Sequence, residues 1–329
     1  MHTTRIPGKD AAPEQTVARV GHSLRGLRIG VRTTGWQRPV PGVWSLHLRA
    51  RDCGRLFSNG KGTGRRACLA SALGEFVERL ATGYFFTDYY LAPAAGDFLF
   101  HPDERSVDPA RWREQCLDPE LLAWYDPDGE LDAAALHERN SDGDRITALP
   151  FTRHRDGATR YFPANILASL YASNGMAAGN TPAEARVQAL SEVLERAARA
   201  TLLAEAAPMP PLPEAIVERY PAVTRALAAL RQRGFRPRAV DASAGGRFPV
   251  AGVVVRHPRD GGVIASFGAH PDFGVALERA TTELLQGRGT HLAGFEAPTF
   301  DDAELAEPHN LELHFTDGSG RLGWSNLAG

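Results

Sequence analysis

Two stretches of the 329-residue chain carry acids at a helical spacing that could hold a cation. The first reads Ser71, Glu75, Glu78, Arg79, and the second Glu184, Gln188, Glu192, Glu195, Arg196. At about 100° per residue the first set spans about 100° of arc and the second about 120°. Leu73, Phe76, Val77 and Leu80 spread over the other side of the first helix. Val187, Leu190, Val193 and Leu194 lie opposite the acids of the second. Glu75 with Glu78, and Glu192 with Glu195, are like charges one turn apart, which costs about a few tenths of a kcal/mol. No lysine within either face relieves that cost. A cation between the carboxylates would, and magnesium takes oxygen ligands, typically one or two carboxylates plus phosphate oxygens. The arginine that closes each line suits a phosphate. The opposing reading is a pair of solvated helix faces, because glutamate is common on surfaces. Spacing alone leaves both readings open.

Three neighbouring features are weaker. Arg279 and Glu283 are spaced i,i+4 and, taken alone, read as a surface ion pair. They follow the glycine-flanked turn Phe267–Gly274, whose helix start could receive an anion. Thr181-Pro182-Ala183-Glu184 is a capping box with proline at N1, which explains Glu184 about as well as ligation does. Other chemistries fail on pattern. Gly54 to Gly60-Lys61-Gly62 has five residues between its glycines and no Ser or Thr after the lysine, so it is no P-loop. A dinucleotide fingerprint, H-E-x-x-H and C-x-x-C are absent. The 11 histidines are scattered and single out no general base.

The elements that must position these residues follow from periodicity. Helices are expected over about 65–86, 182–204, 213–233 and 272–287, with a weaker pattern over 10–25. Trp44, Leu46 and Leu48 alternate with Ser45, His47 and Arg49 as in a half-buried strand. Further strands are expected near 146–152 and 160–168, and a strand pair, Val250–Val255 with Val263–Phe267, around the turn 259–262. Residues 93–148, rich in Pro, Asp and Gly, read as an irregular surface excursion. An internal repeat links the acidic helices. Ser58-Asn59-Gly60-Lys61 leads to Glu75, Glu78 and Arg79, and Ser173-Asn174-Gly175-Met176 leads to Glu192, Glu195 and Arg196. The spacing suggests two facing half-sites.

Composition narrows the class. The chain is 43% hydrophobic and 23% charged with a net charge of −2, so no basic excess points to nucleic acid. Three separated cysteines (Cys53, Cys68, Cys116) argue against a disulfide framework and for a cytoplasmic setting. No apolar leader follows Met1, and no run of about 18 apolar residues predicts a membrane span.

Taken in order, Ser71-x-x-x-Glu75-x-x-Glu78-Arg79, Glu184-x-x-x-Gln188-x-x-x-Glu192-x-x-Glu195-Arg196 and Arg279-x-x-x-Glu283 resemble the three nucleotide-binding motifs of the YcaO family. Ile6–Ala12, Leu149–Arg153, Ser173–Met176 and the stretch from Ser266 to Arg288 resemble its enterobacterial branch. The resemblance implies an α+β fold with pseudo-symmetric mixed sheets, in one domain over 1–329 that could subdivide as 1–150 and 151–300. It implies ATP and Mg2+ as cofactors. Glu75, Glu78, Glu192, Glu195 and Glu283 would hold the metal. Lys9, Thr16, Ser71, Arg79, Asn180, Glu184, Gln188, Arg196 and Arg279 would meet the nucleotide, with Thr16 replacing the family's serine. The implied role is ATP hydrolysis in support of β-methylthiolation of an aspartate in a small-subunit ribosomal protein, with a radical-SAM methylthiotransferase as partner. The alternatives are ATP-dependent activation of a backbone amide in a protein or peptide, by phosphoryl transfer to its oxygen, and a non-catalytic ATP-dependent accessory module. The sequence ends at Gly329, before the helical repeat region of such relatives, and without the proline-rich terminus of azoline-forming members. A homodimer is left open.

Overall fold

The computed structural model of the chain describes residues 5–87, 101–137, 145–169, 173–205, 207–258 and 263–287. Two compact units emerge, one of Met1–Glu78 with Asn174–Gly329 and one of Arg79–Ser173. In chain order the elements are α1 (Pro13–Gly26), β1 (Val31–Gln37), β2 (Trp44–Ala50), β3 (Phe57–Gly62), α2 (Arg65–Ala81), α3 (Tyr84–Thr87), β4 (Arg105–Val107), α4 (Trp112–Gln115), α5 (Pro119–Tyr125), α6 (Ala133–His137), β5 (Ile146–Thr152), β6 (Thr159–Pro163), α7 (Ala164–Ser169), α8 (Pro182–Glu205), α9 (Glu214–Val217), α10 (Pro221–Gln232), β7 (Arg236–Asp241), β8 (Val250–Arg256), β9 (Val263–Ala269) and α11 (Phe273–Leu284). The α+β expectation holds, while every sheet among the described residues is antiparallel rather than mixed.

The larger unit uses one design twice. A helix, a three-stranded antiparallel meander and a second helix occur as α1-β1-β2-β3-α2 and again as α10-β7-β8-β9-α11. The two copies are offset by 208 positions at the strand-to-helix joint. Ser58 donates its hydroxyl to the Ala72 carbonyl at 2.8 Å, and Ser266 donates to Ala280 at 2.5 Å. Two residues after each serine comes a glycine that meets helix backbone. A Cβ on Gly60 would lie 2.3 Å from the Cys68 oxygen, and one on Gly268 would lie 2.3 Å from the Ala276 oxygen. Real Cβ atoms do not approach so closely, so only glycine lets these strands rest on their helices. Seventeen residues after each serine stands a glutamate, Glu75 or Glu283.

This repeat differs from the one expected. Ser173–Gly175 form a turn rather than a strand, so the segment before α8 does not copy β3. The true second copy of β3-α2 is β9-α11, whose Ser-x-Gly and acid are too sparse to stand out in one dimension.

The core of the repeated unit packs α10 and α11 on the second meander. Val223, Leu227 and Leu230 meet Val253, Val255, Leu277 and Leu284, all buried. A second cluster joins the end of α8 to the same sheet through Leu202, Met209, Val254 and Phe267. Each fully buried aliphatic side chain contributes roughly 1.5–3 kcal/mol, so these two clusters anchor the site's scaffold.

Several boundaries depart from periodicity for identifiable reasons. The helix expected over 65–86 stops at Ala81 in a Thr82–Gly83 turn, with α3 separate. The 213–233 helix splits into α9 and α10 because Pro221 has no N–H to donate and instead opens a helix at N1. The strand expected over 160–168 ends at Pro163, and Ala164–Ser169 is helical. Within 93–148 the described residues hold β4 and α4–α6 rather than irregular chain. The β8–β9 pair has the expected antiparallel register, Val250 opposite Ala269 and Arg256 opposite Val263. Its turn at 259–262, Arg288 and the C-terminal segment lie outside the described residues.

The smaller unit has its own core of Val107, Trp112, Cys116, Leu117, Ile146 and Ala148 around the β4-β5-β6 sheet. Asp118 binds Arg153 and Arg160, each at 2.7 Å. No described helix is long and apolar enough to cross a membrane.

Candidate functional site

The orientation of α8 decides between the two readings of its acids. Leu190 is 62% exposed, and Val187, Val193 and Leu194 are exposed with it. Glu184 is 7% exposed, Ser191 is buried, and Gln188, Glu192, Glu195 and Arg196 are half-buried. The helix therefore turns its charged face into the protein and its apolar face out. A solvated acidic face is excluded for α8, and α2 likewise has Glu75 and Glu78 half-buried.

At the start of α8, Glu184 is the hub of a polar network. Its carboxylate accepts from Lys9 Nζ at 3.1 Å, from the Asp10 N–H at 2.9 Å and from Asn180 Nδ2 at 2.9 Å. Asn180 in turn accepts from Thr16 Oγ1 at 2.8 Å. Thr181 does cap the helix, taking the Glu184 N–H at 3.1 Å, but the Glu184 side chain does not complete a capping box. It turns instead to the chain around Lys9. Burial alone would raise the Glu184 pKa. The Asp10 N–H, Asn180 and Lys9 outweigh it and hold the carboxyl below its ordinary value. Lys9, Glu184, Val187 and Gln188 line an open cleft with His270 and Arg279.

A depressed carboxylate stabilises the fold when ionised. That contribution is present above its unfolded value, about 4.3, and is lost as pH falls through the lower folded value. Glu184→Gln is thus expected to lower the melting temperature at pH 7 by a few degrees. It should also flatten the loss of stability below about pH 4.5. Melts recorded from about pH 3 to pH 7 check this, and an unchanged acid limb would refute the network's role.

One helical span further along α8 a second cluster forms, and its centre is a residue that pattern reading discards. Lys61, at the end of β3, binds the Glu283 carboxylate and donates to Gln286 Oε1 at 3.2 Å. It also interacts electrostatically with Glu75, Glu195 and Glu192, which favour its charge, and with Arg279, which opposes it. Burial pulls the Lys61 pKa below its ordinary value while the three acids pull it back. Burial also holds Glu192 above the ordinary carboxylate range. Glu195 adds to that shift, and Arg196 and Lys61 oppose it. Arg279 is lowered by burial against Glu195 and Glu192.

The remaining expected residues fall as follows. Arg196 binds Glu192 on its own helix at 2.8 Å. Glu195 accepts the Ala269 N–H at 3.1 Å, and Arg279 donates to the Ala269 carbonyl at 2.7 Å, so β9 is gripped from both sides. Glu78 accepts the Ala178 N–H at 2.9 Å. Ser71 lies one turn before Glu75 on α2. Arg79 opens the smaller unit, its guanidinium 5.1 Å from the Tyr84 ring centre. The start of α11 is no anion site, because Asp272 already accepts the N–H groups of Gly274 and Val275. Glu278 was also missed by pattern. It accepts from Thr63 at 3.2 Å, and burial raises its pKa.

A signal for Lys61 does exist in the sequence. Of the 37 basic residues only two are lysine, Lys9 and Lys61. Each binds a glutamate of this site, Lys9 taking Glu184 and Lys61 taking Glu283.

Four carboxylates (Glu75, Glu192, Glu195 and Glu283), the Arg279 guanidinium and the Lys61 ammonium interact in one partly desolvated region and form a donor set for a hard cation and an anion together. Magnesium fits the chemistry of that set. Among the described residues no three His, Cys, Asp or Glu side chains are placed to hold a metal unaided, so a bound ion would draw further oxygens from its ligand and from water.

Comparison with known proteins gives the chain's family and fold. A family model described as a YcaO cyclodehydratase that binds ATP and Mg2+ matches residues 59–327. The ribosomal protein S12 methylthiotransferase accessory factor YcaO of Escherichia coli K12 is 49% identical over 332 residues, covering 98% of this chain and 57% of its own. An uncharacterised protein of Haemophilus influenzae is 46% identical with the same coverage. The chain thus spans a little over half the length of these curated relatives. A heterocyclase solved in complex with substrate and cofactor matches with a TM-score of 0.61 at 19% identity, over 97% of this chain and 45% of that one. The structure of YcaO from Methanopyrus kandleri bound with AMPPCP and Mg2+ gives 0.53 at 20% identity, over 92% and 75%. At these identities the structural likeness is one of fold.

Proposed function

The chain belongs to the YcaO family, and on that premise we propose that it binds ATP with magnesium at the acidic cluster. We further propose that it spends the nucleotide in supporting β-methylthiolation of an aspartate in a small-subunit ribosomal protein. The inversion of α8 carries the binding. A helix that exposes Leu190 and turns Glu184, Glu192 and Glu195 inward gives up apolar burial for a charged interior. Buried charge persists only where it is paired, so the acids call for cationic partners.

In this reading Glu75, Glu78, Glu192, Glu195 and Glu283 are the oxygen donors for magnesium. Bound there, the ion supplies charge neutralisation to the transferring phosphoryl group. Arg279 is already held by Ala269 and needs no reorganisation to donate to a phosphate oxygen. Arg196 exchanges Glu192 for a phosphate. Thr16, Asn180 and Glu184 form one hydrogen-bonded edge that meets the nucleoside, with Lys9, Ser71, Arg79 and Gln188 as the other nucleotide contacts.

The identity to the E. coli accessory factor supports the methylthiolation role, and a radical-SAM methylthiotransferase is the partner it calls for. The three cysteines, Cys53, Cys68 and Cys116, are widely spaced and form no C-x-x-C pair. Cys68 and Cys116 are buried, which pushes their thiols up to about 12 and about 11.

Calorimetry with ATP, in magnesium and then in EDTA, tests the site. Binding is expected only with magnesium, and its absence sinks the site. Methylthiolation reconstituted from purified partner and ribosomal protein tests the role. Yield that is independent of this protein, or of ATP hydrolysis, sinks that part.

A further inference from the structure

Lys61 is unexplained by the motifs, yet several charged groups of the site converge on it. It bonds Glu283 and Gln286 on α11 and faces Glu75, Glu192, Glu195 and Arg279. Its backbone is fixed by the β2–β3 ladder, where it stands opposite Ser45, and by the contact of Gly60 with α2. Its ammonium is therefore delivered to one place by rigid elements. In the duplicated half the matching position is Ala269, so the charge belongs to one copy alone.

The composition sharpens the point. The chain uses 35 arginines and two lysines. Arginine is tolerated at nearly every cationic position of this protein, and lysine stands at two positions that both bind site glutamates. The two cations differ physically. A guanidinium is a planar fork with five donors in fixed directions, and an ammonium is a compact charge on a flexible stem that re-aims at little cost. Lysine is the residue for a cation that must change partners.

We propose that Lys61 is a positioning residue for the phosphate chain, a built-in cation that competes with magnesium for the cluster's carboxylates until nucleotide phosphates draw it onto themselves. This rests on the magnesium–ATP reading of the same site. An ammonium held near Glu75, Glu192 and Glu195 repels a divalent ion that arrives alone. Phosphates that accept the ammonium release those carboxylates. Magnesium and nucleotide then bind with positive coupling, each opening the site for the other.

Two lysines make the test direct. Protein labelled biosynthetically with 13C at the lysine ε carbon gives two signals, and the spectrum of Lys61→Arg assigns them. Saturating magnesium–ATP is expected to shift the Lys61 signal, and magnesium alone to leave it nearly in place. Calorimetry on Lys61→Met is expected to show magnesium alone binding at least tenfold tighter than in the unaltered protein. Magnesium–ATP should bind at least tenfold weaker. Lys61→Arg, which keeps the charge and guards against a misfolded methionine variant, should keep the weak magnesium-only affinity and still lose nucleotide affinity. If the unaltered protein binds no magnesium–ATP, the nucleotide reading itself falls. If it binds while the Lys61 signal stays still, or if either affinity of the methionine variant remains within threefold, only the present proposal is overturned.

Discussion

Glu195→Gln should lower the affinity for magnesium–ATP by about a hundredfold while leaving the fold in place. The substitution keeps the shape of the side chain, and its amide oxygen can still accept the Ala269 N–H. What it removes is one negative charge facing Lys61 and Arg279. Breaking one partner of a desolvated charge pair costs about 3 kcal/mol, near the middle of the range for such losses, and each 1.4 kcal/mol is about tenfold in affinity. Calorimetric titration and a melting curve on the same sample separate the two effects. Unchanged affinity would remove Glu195 from the site, and a collapsed melting temperature would reassign it to structure.

The second large effect is on stability and comes in a matched pair. Gly60→Ala and Gly268→Ala each place a methyl about where a helix carbonyl oxygen stands, 2.3 Å from the ideal Cβ in both cases. Neither neighbour is a flexible side-chain tip, so the strand or the helix must move. Overpacking of this kind costs about 3 kcal/mol, and a unit of this size loses about 2–4 °C per kcal/mol. Both variants should melt about 6–12 °C lower, and by similar amounts. A drop in one and not the other would show that the two joints are not equivalent.

How much of this was legible beforehand differs residue by residue. The arcs of α2 and α8 follow from helical geometry, and the limits of α8 match because Pro182 opens it, whereas α2 ends at Ala81, earlier than its periodicity suggests. The direction in which α8 faces was not legible. Hydropathy assigns Val187, Leu190, Val193 and Leu194 to the interior, and they are outside because the charged partners of Glu184, Glu192 and Glu195 come from β3, α11 and the chain around Lys9, far away in sequence. Lys61 was passed over because its glycines fit a known phosphate loop badly. Its meaning lay in a scarcity of lysine that only the acids around it bring out. The β9-α11 copy hid because Ser266, Gly268 and Glu283 are three residues spread over 18, and what repeats is a backbone approach rather than a string of letters.

The duplicated joints also carry a sense of direction. Two identical halves would offer any bound chain the same surroundings at either end. Here the shared acids, Glu75 and Glu283, are framed by unlike neighbours. Ser71 in one half answers to Arg279 in the other, Glu78 to Gln286, and Lys61 to Ala269. One half carries the Lys61 ammonium and Glu78, and the other carries the Arg279 guanidinium and Glu278. An elongated anion laid across them meets its contacts in one order only, so these differences between the copies give the site a head and a tail.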